Sequence, residues 1–449
     1  MLTSRTFPYA LVSFTLATVV LGLALQVADG FYKPAALTLL TIAIVFTVTG
    51  VCLIRSEPSG AQWSRGPAVM AAGVLIQLAV LFRAKPGMYL EEFAHLELFK
   101  LGVVLEAALV GAGVMGVGRL AGSWFPAVLV LNLALGVWML NASPDPHIDV
   151  LEVHEAALRA LGRGRNPYQI TFRNIYGPNS GLYNPAAVSG DRVLFGYPYP
   201  PMSLLVVAPG RLIFGDYRYA ELAALVAGAA FIGYAGASVT ARLAAVLLLT
   251  TPRGFFVLEQ GWTEPVAVLM LGATLWSLMK RPAWSPWIGG LFVVTKQYLG
   301  LAGPLLWKAG AQYPQNAWGF LWRAGVAASL VTVPFALWNL RAFIDTVILL
   351  QTKEPFRIDS LSFVSWAARA GLGEGSFVWA AGAAMVALAF VLWRTPSTAA
   401  GFAGGLALTT LVTFSMGSKA FCNYYYFVVA ALCAALAALD TSAEVSGRG

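Results

Sequence analysis

Charge is what this chain has least of: Lys, Arg, Asp and Glu together make up 11% of its 449 residues, where an ordinary soluble domain carries about 25%. That scarcity excludes a soluble globule. Cysteine is nearly absent as well. Cys52, Cys422 and Cys433 lie in or beside apolar segments, and their spacing fits neither a disulfide framework nor a metal site, so all three are expected to be packing residues. No dense basic run of the nucleic-acid type occurs. The net charge of +8 therefore points to anionic lipid as a partner and not to nucleic acid. The first apolar run lacks a small-residue cleavage site and is expected to stay in the membrane. Internal repeats and a separate soluble domain are not evident.

What is present in excess is apolar sequence, at 58% of residues. Crossing a hydrocarbon layer of roughly 30 Å takes about 20 residues of helix. Runs of that kind fall near 8–28, 35–54, 67–83, 98–117, 123–141, 219–238, 240–258, 263–279, 317–338, 376–393, 398–416 and 423–438. Two further elements, 200–214 and 285–307, either cross or re-enter. The expected fold class is an all-α polytopic membrane protein of about 12 to 13 transmembrane helices. Its parts are N-terminal spans (1–142), a large loop holding an interfacial helix and a re-entrant element (143–216), C-terminal spans (217–440) and a polar tail (441–449).

Sidedness follows from the basic residues. With 200–214 and 285–307 both re-entrant, Arg5, Arg55, Arg65, Arg119, Arg242, Lys280, Arg281 and Arg394 fall on one side. Arg83, Lys85 and Lys100 oppose them. By the positive-inside rule the first set is cytoplasmic, which puts the 142–200 loop on the extracytoplasmic face of a multi-pass cell-membrane protein.

That loop concentrates the scarce ionisable groups. It holds Asp145, Asp149, Glu152, Glu155 and Asp191, five arginines, and two of the three histidines, His147 and His154. In a membrane protein such a concentration marks a place for chemistry more than a connector. Asp145 before Pro146 reads as a helix N-cap with proline at the first position, and Gly162 with Gly164 as the stop. On that helix Asp149, Glu152, Ala156, Arg159 and Arg163 recur at steps of three and four, so they share a face that runs from acidic to basic. Acidic residues in a first turn and arginines in a last turn also complement the helix dipole without any catalytic task. Asp149 is the candidate general base, because a carboxylate with a tuned pKa can deprotonate a hydroxyl. Beyond the helix, Tyr168, Tyr176, Tyr183, Tyr197 and Tyr199 alternate with prolines, which predicts a rigid irregular rim. Tyrosines there suit an interfacial belt or the face of a sugar ring.

Three motifs together carry a resemblance. The stretch 149–168 (DVLEVHEAALRALGRGRNPY), the later YPYPPMSLLVVAPGRLIFG, and Lys419 with Asn423, Tyr424 and Tyr425 before the last span resemble the signature of bacterial polyprenol-phosphate-mannose-dependent mannosyltransferases of the GT-C superfamily. The similarity covers roughly 140–430 and includes Glu259, Gln260 and Gly261, and Lys296 with Gln297. It implies a GT-C multi-helix bundle and a glycosyltransferase that takes a hexose, by the resemblance mannose, from a polyprenyl-phosphate donor. The implied acceptor is an extracytoplasmic lipid or glycan. Asp149 would be the catalytic base. Arg159, Arg163, Lys296, Lys419, Tyr199 and Gln260 would bind the donor phosphate or sugar, with Glu152, His154, Tyr168 and Tyr424 accessory. The chain departs from the family pattern in two ways: five apolar spans precede Asp149, and no DxD pair is present, so a mechanism without metal or cofactor is expected. Lys353, Arg357 and Asp359 read either as additions to the phosphate site or as an exposed amphipathic segment.

A rival class stays open. Glu259, Glu264 and Lys296 interrupt apolar sequence, and ionisable groups at membrane depth also build ion or proton paths in transporters and flippases. Lys296 reads equally as a phosphate clamp or as the structural partner of a glutamate.

Overall fold

A computed structural model describes residues 8–56, 66–91, 95–178, 180–310 and 316–439. Arg5, Arg65 and the tail 441–449 lie outside the described residues. The chain begins with five long helices, α1 (Tyr9–Ala28), α2 (Pro34–Leu53), α3 (Gly66–Arg83), α4 (Leu96–Met115) and α5 (Leu120–Ala142). The amphipathic α6 (Asp149–Gly162) follows, then α7 (Pro201–Phe214), α8 (Arg218–Ala235), α9 (Val239–Leu249), α10 (Gly254–Glu259) and α11 (Glu264–Lys280). The C-terminal part holds α12 (Ser285–Val293), α13 (Ala302–Gly310), α14 (Asn316–Trp338), α15 (Leu340–Ile344), α16 (Leu350–Lys353), α17 (Phe363–Arg369), α18 (Phe377–Arg394), α19 (Ala399–Ser415) and α20 (Cys422–Leu439).

Among the described residues 8 helices are long and apolar enough to cross a membrane: α1 to α5, α14, α18 and α20. The protein is a helical polytopic membrane protein. The expected count of twelve or thirteen is not reached by length and composition. Helices form at 219–238, 263–279 and 398–416, as α8, α11 and α19, but α11 and α19 have 17 residues each and α8 and α11 begin on charged residues. They are interior helices, with one helix wall of the bundle against the next.

The expected span at 240–258 is broken. α9 ends at Leu249, and before α10 starts come Pro252, which lacks the amide that would continue the ladder, and Arg253 at φ 70°. The 285–307 element is likewise two short helices, α12 and α13, joined by an extended Lys296 and a 3-10 turn over Gln297–Leu301. Neither half is long enough to span.

α20 forms the centre of the bundle, 94% buried against 17% for α14. Its alanines at 430, 431, 434, 435, 437 and 438 let α1, α9, α11 and α19 approach closely, which is how helices gain packing where lipid competes for apolar contact. α8 and α11 also approach closely. A Cβ on Gly228 would sit 2.8 Å from the Val268 carbonyl, and one on Gly272 would strike the Gly228 carbonyl. Cys422 and Cys433 are buried free thiols.

Candidate active site

The 143–200 loop is anchored before it becomes a helix. Arg218, almost fully buried, donates to the carbonyls of Ser143 (3.0 Å), Pro144 (2.9 Å) and Glu259 (3.1 Å) while pairing with Asp216 at 2.7 Å. With its backbone held this way, the chain does not turn helical at Asp145. The expected Asp145 cap is corrected: α6 starts at Asp149, after an extended Ile148 that makes no side-chain cap. The stop at Gly162 is where the glycines suggested. The rim after it is irregular, with 3-10 turns at Pro167–Gln169 and Pro185–Ala187. It also contains a small antiparallel sheet, which an all-α reading did not contain: β1 (Phe172–Arg173), β2 (Val188–Ser189) and β3 (Arg192–Val193), in the order β1-β3-β2.

This folding delivers Asp149 to the wall of a cavity of about 400 Å³. Its carboxylate accepts from the Tyr183 hydroxyl at 2.6 Å on Oδ2 and from the Tyr176 hydroxyl at 3.4 Å on Oδ1. The Asp149 amide donates to Tyr176 Oη at 3.2 Å. Burial pushes the Asp149 carboxyl above the usual carboxylate range. The Tyr183 hydrogen bond opposes this by stabilising the anion, and nearby Glu354 adds to the rise. Of the residues expected at the site, Tyr199, Gln260, Lys419 and Tyr424 line the same cavity.

Distant segments converge here because their backbones are tied. Tyr32 donates to the Asp359 carbonyl at 2.8 Å, Arg357 to Ser418 at 3.2 Å and Leu361 to Ala420 at 3.0 Å. The 354–360 segment is thus fixed between the α1–α2 turn and the start of α20, and it is not a free amphipathic stretch. It presents Glu354 and Arg357 to the cavity beside Lys419. Lys419 pairs with Glu354, and Arg357 with Asp359 at 2.8 Å. Lys353 is exposed, and its carbonyl accepts from Asn184 at 3.0 Å. A third wall comes from the α3–α4 loop. Buried Glu259 accepts from the amides of Met88 and Tyr89, each at 2.8 Å, and so holds Tyr89 at the cavity.

The other expected residues lie elsewhere. Lys296 is buried and paired with Glu264, which also accepts from Asn423 at 3.1 Å. Its ammonium stands behind the aromatic wall, 5.3 Å from the Tyr199 ring and 5.2 Å from that of Tyr424. His154 is fully buried, stacked on Tyr217 with centroids 4.7 Å apart and bonded to the Tyr197 hydroxyl at 2.9 Å. Its Nδ1 faces the Val150 carbonyl at 3.0 Å, an acceptor, so Nδ1 carries the proton and Nε2 accepts from Tyr197. Tyr168 is buried and donates to the Tyr199 carbonyl at 3.0 Å, orienting a cavity residue from behind. Glu152, Arg159 and Arg163 line a separate cavity. The face they were expected to share with Asp149 is divided by its length.

Sequence reading did not assign Tyr176 and Tyr183 to Asp149, nor Glu354 to the site. Tyr176 and Tyr183 stood out only as rim aromatics. Glu354 carried no signal, being a lone carboxylate before a proline. No protein-family model, curated protein or solved structure matches the chain.

Proposed function

We propose that this protein is a membrane-embedded, inverting glycosyltransferase that moves a hexose from a polyprenyl-phosphate donor to the hydroxyl of an extracytoplasmic lipid or glycan acceptor. Mannose is the sugar implied by the resemblance of its loop to polyprenol-phosphate-mannose-dependent enzymes of the GT-C superfamily. The observation that carries the reading is one carboxylate, Asp149, with a raised pKa and two tyrosine hydroxyls on it, in a cavity that also holds Lys419 and Arg357.

In this reading Asp149 takes the proton of the acceptor hydroxyl as its oxygen attacks the anomeric carbon. The bond from that carbon to the phosphate oxygen breaks, and the polyprenyl phosphate departs as an anion. Lys419 and Arg357 neutralise it, exchanging part of their contact with Glu354 and Asp359 for the phosphate. Charge developing on a leaving group is stabilised best by cations already in place. Tyr199 and Tyr424 supply aromatic faces for the sugar, and Lys296 with Glu264 keeps those rings in position. A single base and a direct displacement give inversion.

One observation favours a second reading, a transporter or flippase for a lipid-linked anion. The α9–α10 and α12–α13 elements are both interrupted, and broken helices build substrate sites in transporters. Proteoliposomes supplied with polyprenyl-phosphate-linked hexose labelled in the sugar discriminate the two. Label recovered on an acceptor, with free polyprenyl phosphate formed, is expected. Label that changes leaflet while still attached to its carrier, with no transfer product, would overturn the transferase reading.

A further inference from the structure

The second cavity, about 830 Å³ in volume, lies along the C-terminal half of α6 and is lined by five arginines: Arg159, Arg163, Arg165, Arg173 and Arg192. Glu152 is its one carboxylate. Among the described residues Arg159 alone of the five forms an ion pair, with Glu155 at 3.3 Å. Arg192 is held by Thr171, whose carbonyl accepts at 2.7 Å.

All five arginines are exposed, and two features set the cluster apart from scattered surface charge. Arg173 and Arg192 are direct cross-strand partners in the β1–β3 pair, and like charges opposite one another destabilise a ladder, a cost that a bound anion would relieve. Asn166, also in the cavity wall, is 5% exposed, and its Nδ2 amide has no partner while its Oδ1 accepts from the Tyr168 amide at 2.9 Å. Apart from the Glu152 carboxylate, the charged groups left over are donors. Guanidinium forks match phosphate oxygens in pairs.

The position of the cavity selects the source of that phosphate. Trp338, the last residue of α14, is part of its wall. α14 has 23 residues, about 35 Å at 1.5 Å per residue, close to the roughly 30 Å of a hydrocarbon core. Its end therefore falls at headgroup level. Leu330, Val333 and Leu337 are exposed in a row on the same helix and lead to the cavity. We infer that the arginine cavity binds the phosphate headgroup of an anionic membrane lipid whose acyl chains lie along the exposed apolar face of α14. This site is separate from the Asp149 cavity and does not depend on the transferase reading. It pins the loop to the membrane surface by its outer end, while Arg218 pins the inner end.

The test uses the full chain in bilayer nanodiscs of phosphatidylcholine, alone or mixed with phosphatidylglycerol, and counts lipid retained on extraction by native mass spectrometry. Selective retention of phosphatidylglycerol is expected. The combined variant Arg163→Gln, Arg165→Gln, Arg173→Gln should lower its retention on the order of a hundredfold, since each basic residue near an anionic surface is worth about fivefold. The matching lysine variant should keep most of it. Thermal unfolding in pure phosphatidylcholine checks the fold. If the triple variant fails that check, Arg173→Gln alone, on the strand edge, should still cost about fivefold. Leu337→Glu should weaken retention by placing a carboxylate where acyl chains lie. Equal retention of phosphatidylcholine, or variants that bind like wild type, overturns the inference. Displacement of the lipid by glycerol phosphate at matched concentration overturns it too, because the ligand would then be a soluble phosphate.

Discussion

Tyr183 donates its hydroxyl hydrogen to Asp149 Oδ2 across 2.6 Å, from a loop position 34 residues further along the chain. The two are brought together by the small sheet and the 3-10 turn at 185–187, and Tyr176 completes the clamp. A carboxylate held by two hydroxyls and raised in pKa by burial has a fixed direction and a usable affinity for a proton. These are the two properties a general base needs.

Asp149→Asn retains the shape and the tyrosine contacts but cannot take up a proton. Transfer should fall by about a hundredfold to ten-thousandfold, the usual contribution of general-base catalysis, with expression and thermal stability little changed. Radiolabelled hexose transfer in membranes measures this, and near-normal turnover would remove Asp149 from the role.

Tyr183→Phe tests the tuning. The hydrogen bond lowers the Asp149 pKa, so its loss should raise that pKa further. Activity requires ionised Asp149 and is lost as pH falls through its pKa. The acid limb of the rate profile should therefore move to higher pH, as expected when a hydrogen bond that stabilises the anion is removed. An unmoved acid limb would show that another group governs it.

Lys296→Met leaves Glu264 buried with only Asn423 to satisfy it. Stability should drop by about 3 to 5 kcal/mol. The further change Glu264→Gln should restore most of the loss, since it removes the stranded charge. Thermal unfolding of the single and double variants measures both effects. If Lys296→Met instead raised the donor KM with stability unchanged, the lysine would be contacting the donor and not positioning the aromatic wall.

His154 gives a pH signature of stability. Burial holds its pKa down, to about 3 from 6.5. Below 6.5 the unfolded chain binds a proton there and the folded chain does not, so stability present above 6.5 is lost as pH falls towards 3, at on the order of 1 kcal/mol per pH unit. His154→Gln should flatten that part of the stability curve. Unfolding followed from pH 7 to pH 4 checks it, and parallel curves for both proteins would contradict the assignment.

Composition and hydrophobic run length, by themselves, were enough to establish a polytopic helical membrane protein and to single out the 142–200 loop with Asp149, because both depend on how much apolar or charged sequence lies in one window. The resemblance of the loop and later motifs, and not composition, marked Tyr199, Gln260, Lys419 and Tyr424, which line one cavity. Tertiary structure decided what no window contains. The break between α9 and α10 arises from Pro252 and Arg253 in a chain whose hydropathy is continuous. Helix α6 begins four residues later than Asp145 because Arg218, far along the sequence, holds the backbone before it. Lys296 has Glu264 as its partner, and Arg159 and Arg163 face a cavity of their own beside Arg173 and Arg192. Apart from the local break at Pro252 and Arg253, the deciding interaction joins residues tens of positions apart. Its energy depends on distance and burial, and these exist only once the helices have packed.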